Sequence, residues 1–121
     1  CSSDLEVFDT NSNYDTSNYR FTPTVAGYYQ VTGAITFNNG TSTGSYAVIY
    51  KNGSAVGFGS CPSSGTAYGT PTVSVLVYMN GTTDYLELWG NSQGSGSQAT
   101  VVNVFATGDT PKFSACFVRS A

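Results

Sequence analysis

The sequence predicts an all-β, antiparallel sandwich. Apolar and polar residues alternate over several stretches, helical spacing of apolar residues is missing throughout, and three Asn-Gly dipeptides punctuate the alternating runs. In chain order, Tyr29, Val31, Gly33, Ile35 and Phe37 alternate with Gln30, Thr32, Ala34 and Thr36, the period of two that turns one face of a strand inward. Tyr46 to Lys51, Thr72 to Met79, Tyr85 to Trp89, Thr100 to Phe105 and Phe113 to Val118 follow as further β-branched or aromatic runs. Asn39-Gly40, Asn52-Gly53 and Asn80-Gly81 accept positive φ at both centres of a type I′ turn, so each predicts antiparallel neighbours. Roughly eight strands at about ten-residue spacing point to a sandwich or jelly roll rather than an open sheet. Asn38 to Ser45, Ser60 to Thr70 and Gly90 to Gln98 are rich in small residues and read as surface loops.

The closing run, Phe113-Ser114-Ala115-Cys116-Phe117-Val118, has almost no polar face. One side can meet the core of the sandwich, and the other requires a further sheet, a loop or another subunit. Tyr28 beside Tyr29, and Trp89 on the opposite parity from Leu86 and Leu88, make the same demand. In a domain with no third layer, self-association answers it.

A chain of 121 residues forms one domain, residues 1–121. Charged residues make up 9% of it, far below the usual quarter or so, and Gly, Ser, Thr, Asn and Tyr carry the polarity. With a net charge of −3 and Arg20, Lys51, Lys112 and Arg119 scattered, no patch suits nucleic acid or anionic lipid. No run has the roughly 20 apolar residues of a membrane span, so membrane insertion is not expected. The start at Cys1 without Met and the finish just past an apolar strand suggest the C-terminal end of a longer protein. Cys1, Cys61 and Cys116 match no zinc or redox spacing. Cys116 reads as a small buried hydrophobe, and Cys61 is open to pairing with Cys1 or to remaining a thiol.

Catalysis has little to work with. There is no His, so the common nucleophile–base pairs cannot be built, and no spacing of the carboxylates suggests a glycosidase pair. Asp15 and Asp84 stand beside turns, where Asp usually bonds local backbone. No catalytic residue is assigned. Loop aromatics suit ligand contact, because a ring offers an apolar face and a Tyr or Trp tip offers a hydrogen bond. Tyr68, in the long middle loop, leads. Trp89 is read either as packing between subunits, which the enrichment of aromatics there favours, or as stacking on a glycan. With Asn91 beside it, it completes the ligand-binding candidates. The Asn-Gly-Ser/Thr sequons coincide with the turns, and turn chemistry explains them.

Tyr14-Asp15-Thr16-Ser17-Asn18-Tyr19-Arg20-Phe21, followed by Thr22 to Ala26 and Gly27-Tyr28-Tyr29, resembles the C1q-like branch of the C1q/TNF-like jelly-roll superfamily. Lys51-Asn52-Gly53 is similar to the family's central hairpin, Asn80 to Leu88 to its turn-Asp-x-hydrophobic-x-Leu strand, and Phe113 to Phe117 to its closing strand. The likeness extends from about Val7 to Val118. Ala115 stands at a family Gly, Val31 at a Phe and Gly33 at an aromatic, which implies a core filled with smaller residues. In the family one long connection leads into the last strand, so Thr100 to Phe105 is expected as an edge excursion or a strand extension.

The resemblance implies a jelly-roll homotrimer at the C-terminal end of a stalk, its closing strand near the threefold axis. Phe113, Ala115 and Phe117, with Tyr28, are the expected interface residues. Some members bind calcium through loop carboxylates near the trimer top, and Asp109 in Thr107-Gly108-Asp109-Thr110 is where that would fall. Calcium takes about six to eight oxygens and no acidic cluster is visible, so no cofactor is expected and metal ligands stay unassigned. The neutral, Asn-, Ser-, Thr-, Gly- and Tyr-rich composition resembles bacteriophage or bacterial members more than vertebrate complement proteins. The expectation is therefore a receptor-binding head on a phage tail fibre or bacterial surface fibre, located on the virion or at the cell surface. Its partner would be a host cell-surface glycan or protein. The alternative is a domain that trimerises and registers a collagen-like or coiled stalk.

Overall fold

A computed structural model describes residues 13–15, 17–38, 42–62, 68–94, 99–100 and 112–121. Every regular element among them is a strand: β1 (Tyr14–Asp15), β2 (Arg20–Phe21), β3 (Gly27–Ala34), β4 (Phe37–Asn38), β5 (Ser42–Lys51), β6 (Ser54–Pro62), β7 (Tyr68–Gly69), β8 (Thr72–Met79), β9 (Leu86–Gly94), β10 (Ala99–Thr100) and β11 (Lys112–Arg119). The five-stranded sheet runs β1-β2-β9-β5-β6, the three-stranded sheet runs β11-β3-β8, and β10-β4-β7 form a small third sheet. All pairings are antiparallel.

The two larger sheets form a β-sandwich. Phe21, Ala47, Ile49 and Leu86 come from one, and Tyr29, Val31, Val73, Val77, Met79, Phe113 and Ala115 from the other; together they make a single buried cluster. The alternation expected from Tyr29 holds along β3, with Tyr29 and Val31 buried and Gln30 exposed, but it ends with the strand at Ala34: Ile35, Thr36 and Phe37 are all buried, Thr36 bonding the Thr70 hydroxyl at 2.9 Å. Between the two sheets the chain crosses back and forth. Among the described residues direct hairpins join β1 to β2, with Asp15 opposite Arg20, and β5 to β6, with Lys51 opposite Ser54.

The Asn-Gly signals divide. At Asn52-Gly53 both residues take positive φ, 51° and 82°, and the turn closes the β5–β6 hairpin as predicted. Asn80-Gly81 instead links β8 to β9, which lie in different sheets, so it joins no antiparallel pair. Its side chain organises the crossover: Asn80 Oδ1 accepts the backbone N–H groups of Thr82, Thr83 and Asp84 at 2.9, 2.9 and 3.0 Å. Asn39-Gly40 lies outside the described residues.

The segment read as a loop from Gly90 is strand as far as Gly94, because β5 extends back to Ser42 and supplies a ladder partner for it. For the same reason β6 runs on to Pro62, opposite Gly44. Of the expected strand Thr100 to Phe105, only Thr100 is described, paired with Phe37 at the edge of the small sheet.

The closing strand corrects an expectation. Phe113 and Ala115 do not lie on a surface; they face the core, where Phe113 is 2% exposed and packs against the rings of Tyr14 and Phe21 at 6.0 and 5.7 Å. Phe117 lies at the end of the sandwich, half-exposed, with its ring edge-on to Tyr29 at 5.4 Å. Ser114, Cys116 and Val118 are exposed. Cys116 is therefore a surface thiol and not a core residue.

Candidate functional site

One end of the sandwich is tied by a polar cluster. Lys51, at the end of β5, donates from Nζ to the Tyr78 carbonyl at 2.6 Å and pairs with Asp84 Oδ2 at 3.0 Å. Asn52 Nδ2 donates to Asp84 Oδ1 at 2.8 Å, and Asn52 Oδ1 accepts the Tyr85 N–H at 3.0 Å. The Asn80 N–H donates to Asp84 Oδ2, also at 3.0 Å. The hydrogen bond from Asn52, followed by that from Lys51, holds the Asp84 carboxyl below its ordinary value against the opposing effect of burial. Asp84 is thus a structural anchor, and Asp15 likewise bonds locally, accepting from Ser17 N at 2.8 Å and Ser17 Oγ at 2.6 Å.

The outward face of the five-stranded sheet is different in kind. Register places Tyr46 opposite Asn91, Val48 opposite both Trp89 and Phe58, and Tyr50 opposite Glu87. Tyr46 stacks on Phe58 with centroids 5.3 Å apart and planes at 24°, and Tyr50 meets Trp89 edge-on at 6.1 Å. Phe58 is 64% exposed and Trp89 57%. A ring left in water forgoes about 1.5–3 kcal/mol of burial, and here two exposed rings adjoin the half-buried Tyr46 and Tyr50. Amides border these rings: Tyr46 Oη donates to Gln93 Oε1 at 3.3 Å, and Asn91 is exposed.

Beside Trp89 a shallow cleft of about 310 Å³ is lined by Asn18, Tyr19, Glu87, Leu88 and Trp89. Tyr19 sits in the turn between β1 and β2, 64% exposed, with φ at 57°. Arg20 lies with its guanidinium carbon 4.1 Å from the Tyr85 ring centroid and its Nε 3.7 Å from Glu87 Oε1.

The opposite surface is the outward face of the three-stranded sheet. Tyr28 meets Tyr78 edge-on at 5.6 Å, and Tyr28, Leu76, Val118 and Arg119 line a hollow of about 210 Å³. Leu76 is 55% exposed, and Val118 is also exposed. Elsewhere on this face Gln30 Nε2 donates to Ser74 Oγ at 2.7 Å.

Of the ligand-binding candidates, Trp89 and Asn91 fall together on one face of strand β9, Asn91 in the stretch expected as a loop. The backbone of Tyr68 pairs with Asn38 in the small sheet, apart from them, and its side chain lies outside the described residues, as does Asp109. Of the interface candidates, Tyr28 alone combines a place on an open sheet face with exposed apolar neighbours. Tyr19, Tyr46, Tyr50, Phe58 and Glu87 were not singled out from the sequence. The alternation of Tyr46, Val48 and Tyr50 with the buried Ala47 and Ile49 was a signal available for two of them. No helix among the described residues is long and apolar enough to cross a membrane. No family model matches the chain, and no curated protein matches it in sequence.

Proposed function

We propose that the chain is a non-enzymatic, trimeric binding head of jelly-roll topology, carried at the tip of a phage tail fibre or bacterial surface fibre and recognising a cell-surface saccharide or protein. The observation that carries this reading is the run of rings on the outward face of the five-stranded sheet, Phe58 and Trp89 exposed and Tyr46 and Tyr50 half-buried against them. Rings held on strands lose little entropy on binding, and their flat faces suit sugar rings and apolar side chains alike. The jelly-roll reading is supported by a chain that changes sheets at nearly every connection and by the order β11-β3-β8 against β1-β2-β9-β5-β6. Trimerisation is supported by the second open face, where Tyr28, Leu76, Tyr78 and Val118 gather apolar surface on the side away from the aromatic run.

The test is the mass of the head in solution at micromolar concentration, together with its binding to host cells and to an array of glycans. A trimer that binds without cleaving supports the proposal. A monomer overturns the assembly, and a trimer without any binding favours the stalk-registering role.

A further inference from the structure

We propose that the cleft between Tyr19 and Trp89 holds one sugar unit of a neutral surface glycan, with Trp89 stacked on its C–H face and the Glu87 carboxylate accepting hydrogen bonds from adjacent hydroxyls. This rests on the reading of the chain as a binding head and specifies its ligand class.

Three observations meet at this cleft. Tyr19 is held in the left-handed region, where an L-residue with a bulky side chain is about 1–2 kcal/mol worse off than glycine. Its ring gains no core contact in return, being 64% exposed. Strain kept at an exposed aromatic beside a cleft marks a position retained for contact with something outside the fold. Asn18 supports the geometry, its Oδ1 accepting the Arg20 N–H at 3.2 Å.

Trp89 is the second observation. Tyr50 meets it edge-on, which fixes the indole while leaving most of it open to stacking. Glu87 is the third. Its side chain, only 18% exposed, lines the cleft, and its ion pair with Arg20 Nε is long at 3.7 Å. A carboxylate has about four acceptor positions, so vicinal hydroxyls can donate to it directly. Arg20 is turned onto the Tyr85 ring, and the chain carries a net charge of −3. With Arg20 already engaged by Glu87 and the Tyr85 ring, an anionic sugar would meet the Glu87 carboxylate without a free counter-charge, whereas a neutral one brings only donors and an apolar ring face.

Because Trp89 is the only tryptophan, emission excited to the red of tyrosine absorption comes from Trp89, at the cleft and beside Tyr50. Neutral hexose oligosaccharides bearing no uronic or sialic acid are the probes, with their acidic counterparts alongside. Saturable change in Trp89 emission with the neutral set, and none with the acidic set, is expected. Tyr19→Gly should weaken binding about tenfold without lowering the melting temperature, since it removes the wall of the cleft opposite Trp89 while relieving the left-handed strain. Glu87→Gln should weaken it by a similar factor, because an amide offers fewer acceptors.

Neutral-glycan binding that leaves Trp89 emission and the Tyr19→Gly variant unaffected would overturn this cleft while sparing the binding-head reading. Preference for acidic glycans would overturn the ligand class, and binding to host cells that protease treatment of the cells abolishes would replace the sugar by a protein. Failure to bind host cells or glycans at all would remove both this inference and the reading beneath it. A melting temperature that falls in Tyr19→Gly would make Tyr19 a structural residue and also count against the inference.

Discussion

Leu88 on β9 fills the space above Gly33 on β3: a Cβ placed on Gly33 would stand 2.5 Å from Leu88 Cδ1. The small residue on one sheet and the large one on the other interlock across the sandwich, as close packing requires. Gly33→Ala should therefore destabilise the fold, but by only about 1 kcal/mol, because the obstructing atom is the tip of a half-buried, rotatable side chain. Leu88→Ala should cost more alone than in the presence of Gly33→Ala, giving a coupling of about 0.5–1 kcal/mol in a denaturation double-mutant cycle. Additive costs would mean that the two residues do not share the space. Gly59→Ala is the contrast. There a Cβ would collide with the Thr72 carbonyl, backbone that cannot swing aside, so its cost should exceed that of Gly33→Ala.

Much of the sandwich could be read from alternation, because a period of two commits a face wherever one parity is polar. In β3, Gln30 and Thr32 mark the outward side unambiguously. In β11 they have no counterpart: both Phe113-Ala115-Phe117 and Ser114-Cys116-Val118 can be buried, and what decides is the aromatic pocket of Tyr14 and Phe21, residues nearly a hundred positions away. The strand through Gly90, Asn91, Ser92 and Gln93 was hidden for a related reason. Its composition is that of a loop, and its partner strand supplies the order. The aromatic face shows the same limit. Tyr19, Tyr46, Tyr50, Phe58 and Trp89 come from four separate segments, and only cross-strand register brings them side by side.

The reversed orientation of β11 separates stability from assembly. Phe113→Ala should cost about 3–5 kcal/mol, the loss expected for a fully buried phenylalanine, and should show as a lower denaturant midpoint whatever the oligomeric state. Leu76→Asp, on the outward face of the three-stranded sheet, should leave the midpoint of the isolated chain within about 0.5 kcal/mol while abolishing the proposed trimer. Sedimentation at matched concentrations tells the two apart. A Leu76→Asp head that remains trimeric would place the subunit contact on another surface.

Acid should loosen the crossover end of the sandwich, which neutral pH leaves intact. The folded-state pKa of Asp84 lies below the ordinary carboxylate value of about 3.9, so its contribution is fully present above that value and disappears as pH falls through the lower, folded value. Stability measured by urea unfolding should fall as pH drops below about 4. Asp84→Asn should flatten part of that fall and should lower stability at pH 7 by about 1–3 kcal/mol, since Lys51 loses its counter-charge and the Asn80 N–H its charged acceptor. An unchanged acid limb in the variant would assign the pH dependence to other carboxylates.

Asn52 performs two tasks that substitution can divide. Its φ of 51° suits Asn and Gly, and its side chain joins Asp84 to the Tyr85 N–H. Asn52→Gly keeps the backbone and removes the bonds, whereas Asn52→Ala removes the bonds and adds the left-handed penalty. The first should cost about 1–2 kcal/mol from the lost hydrogen bonds, and the second about 1 kcal/mol more. Both should raise the Asp84 pKa toward its ordinary value, because the Asn52 amide is the largest influence lowering it, and carboxyl chemical shifts followed by NMR through a pH titration would show this. Equal stability of the Gly and Ala variants would mean that the turn relaxes out of its left-handed form once the side chain is gone. The amide bonds, and not the hairpin geometry, would then be what holds Asn52 in place.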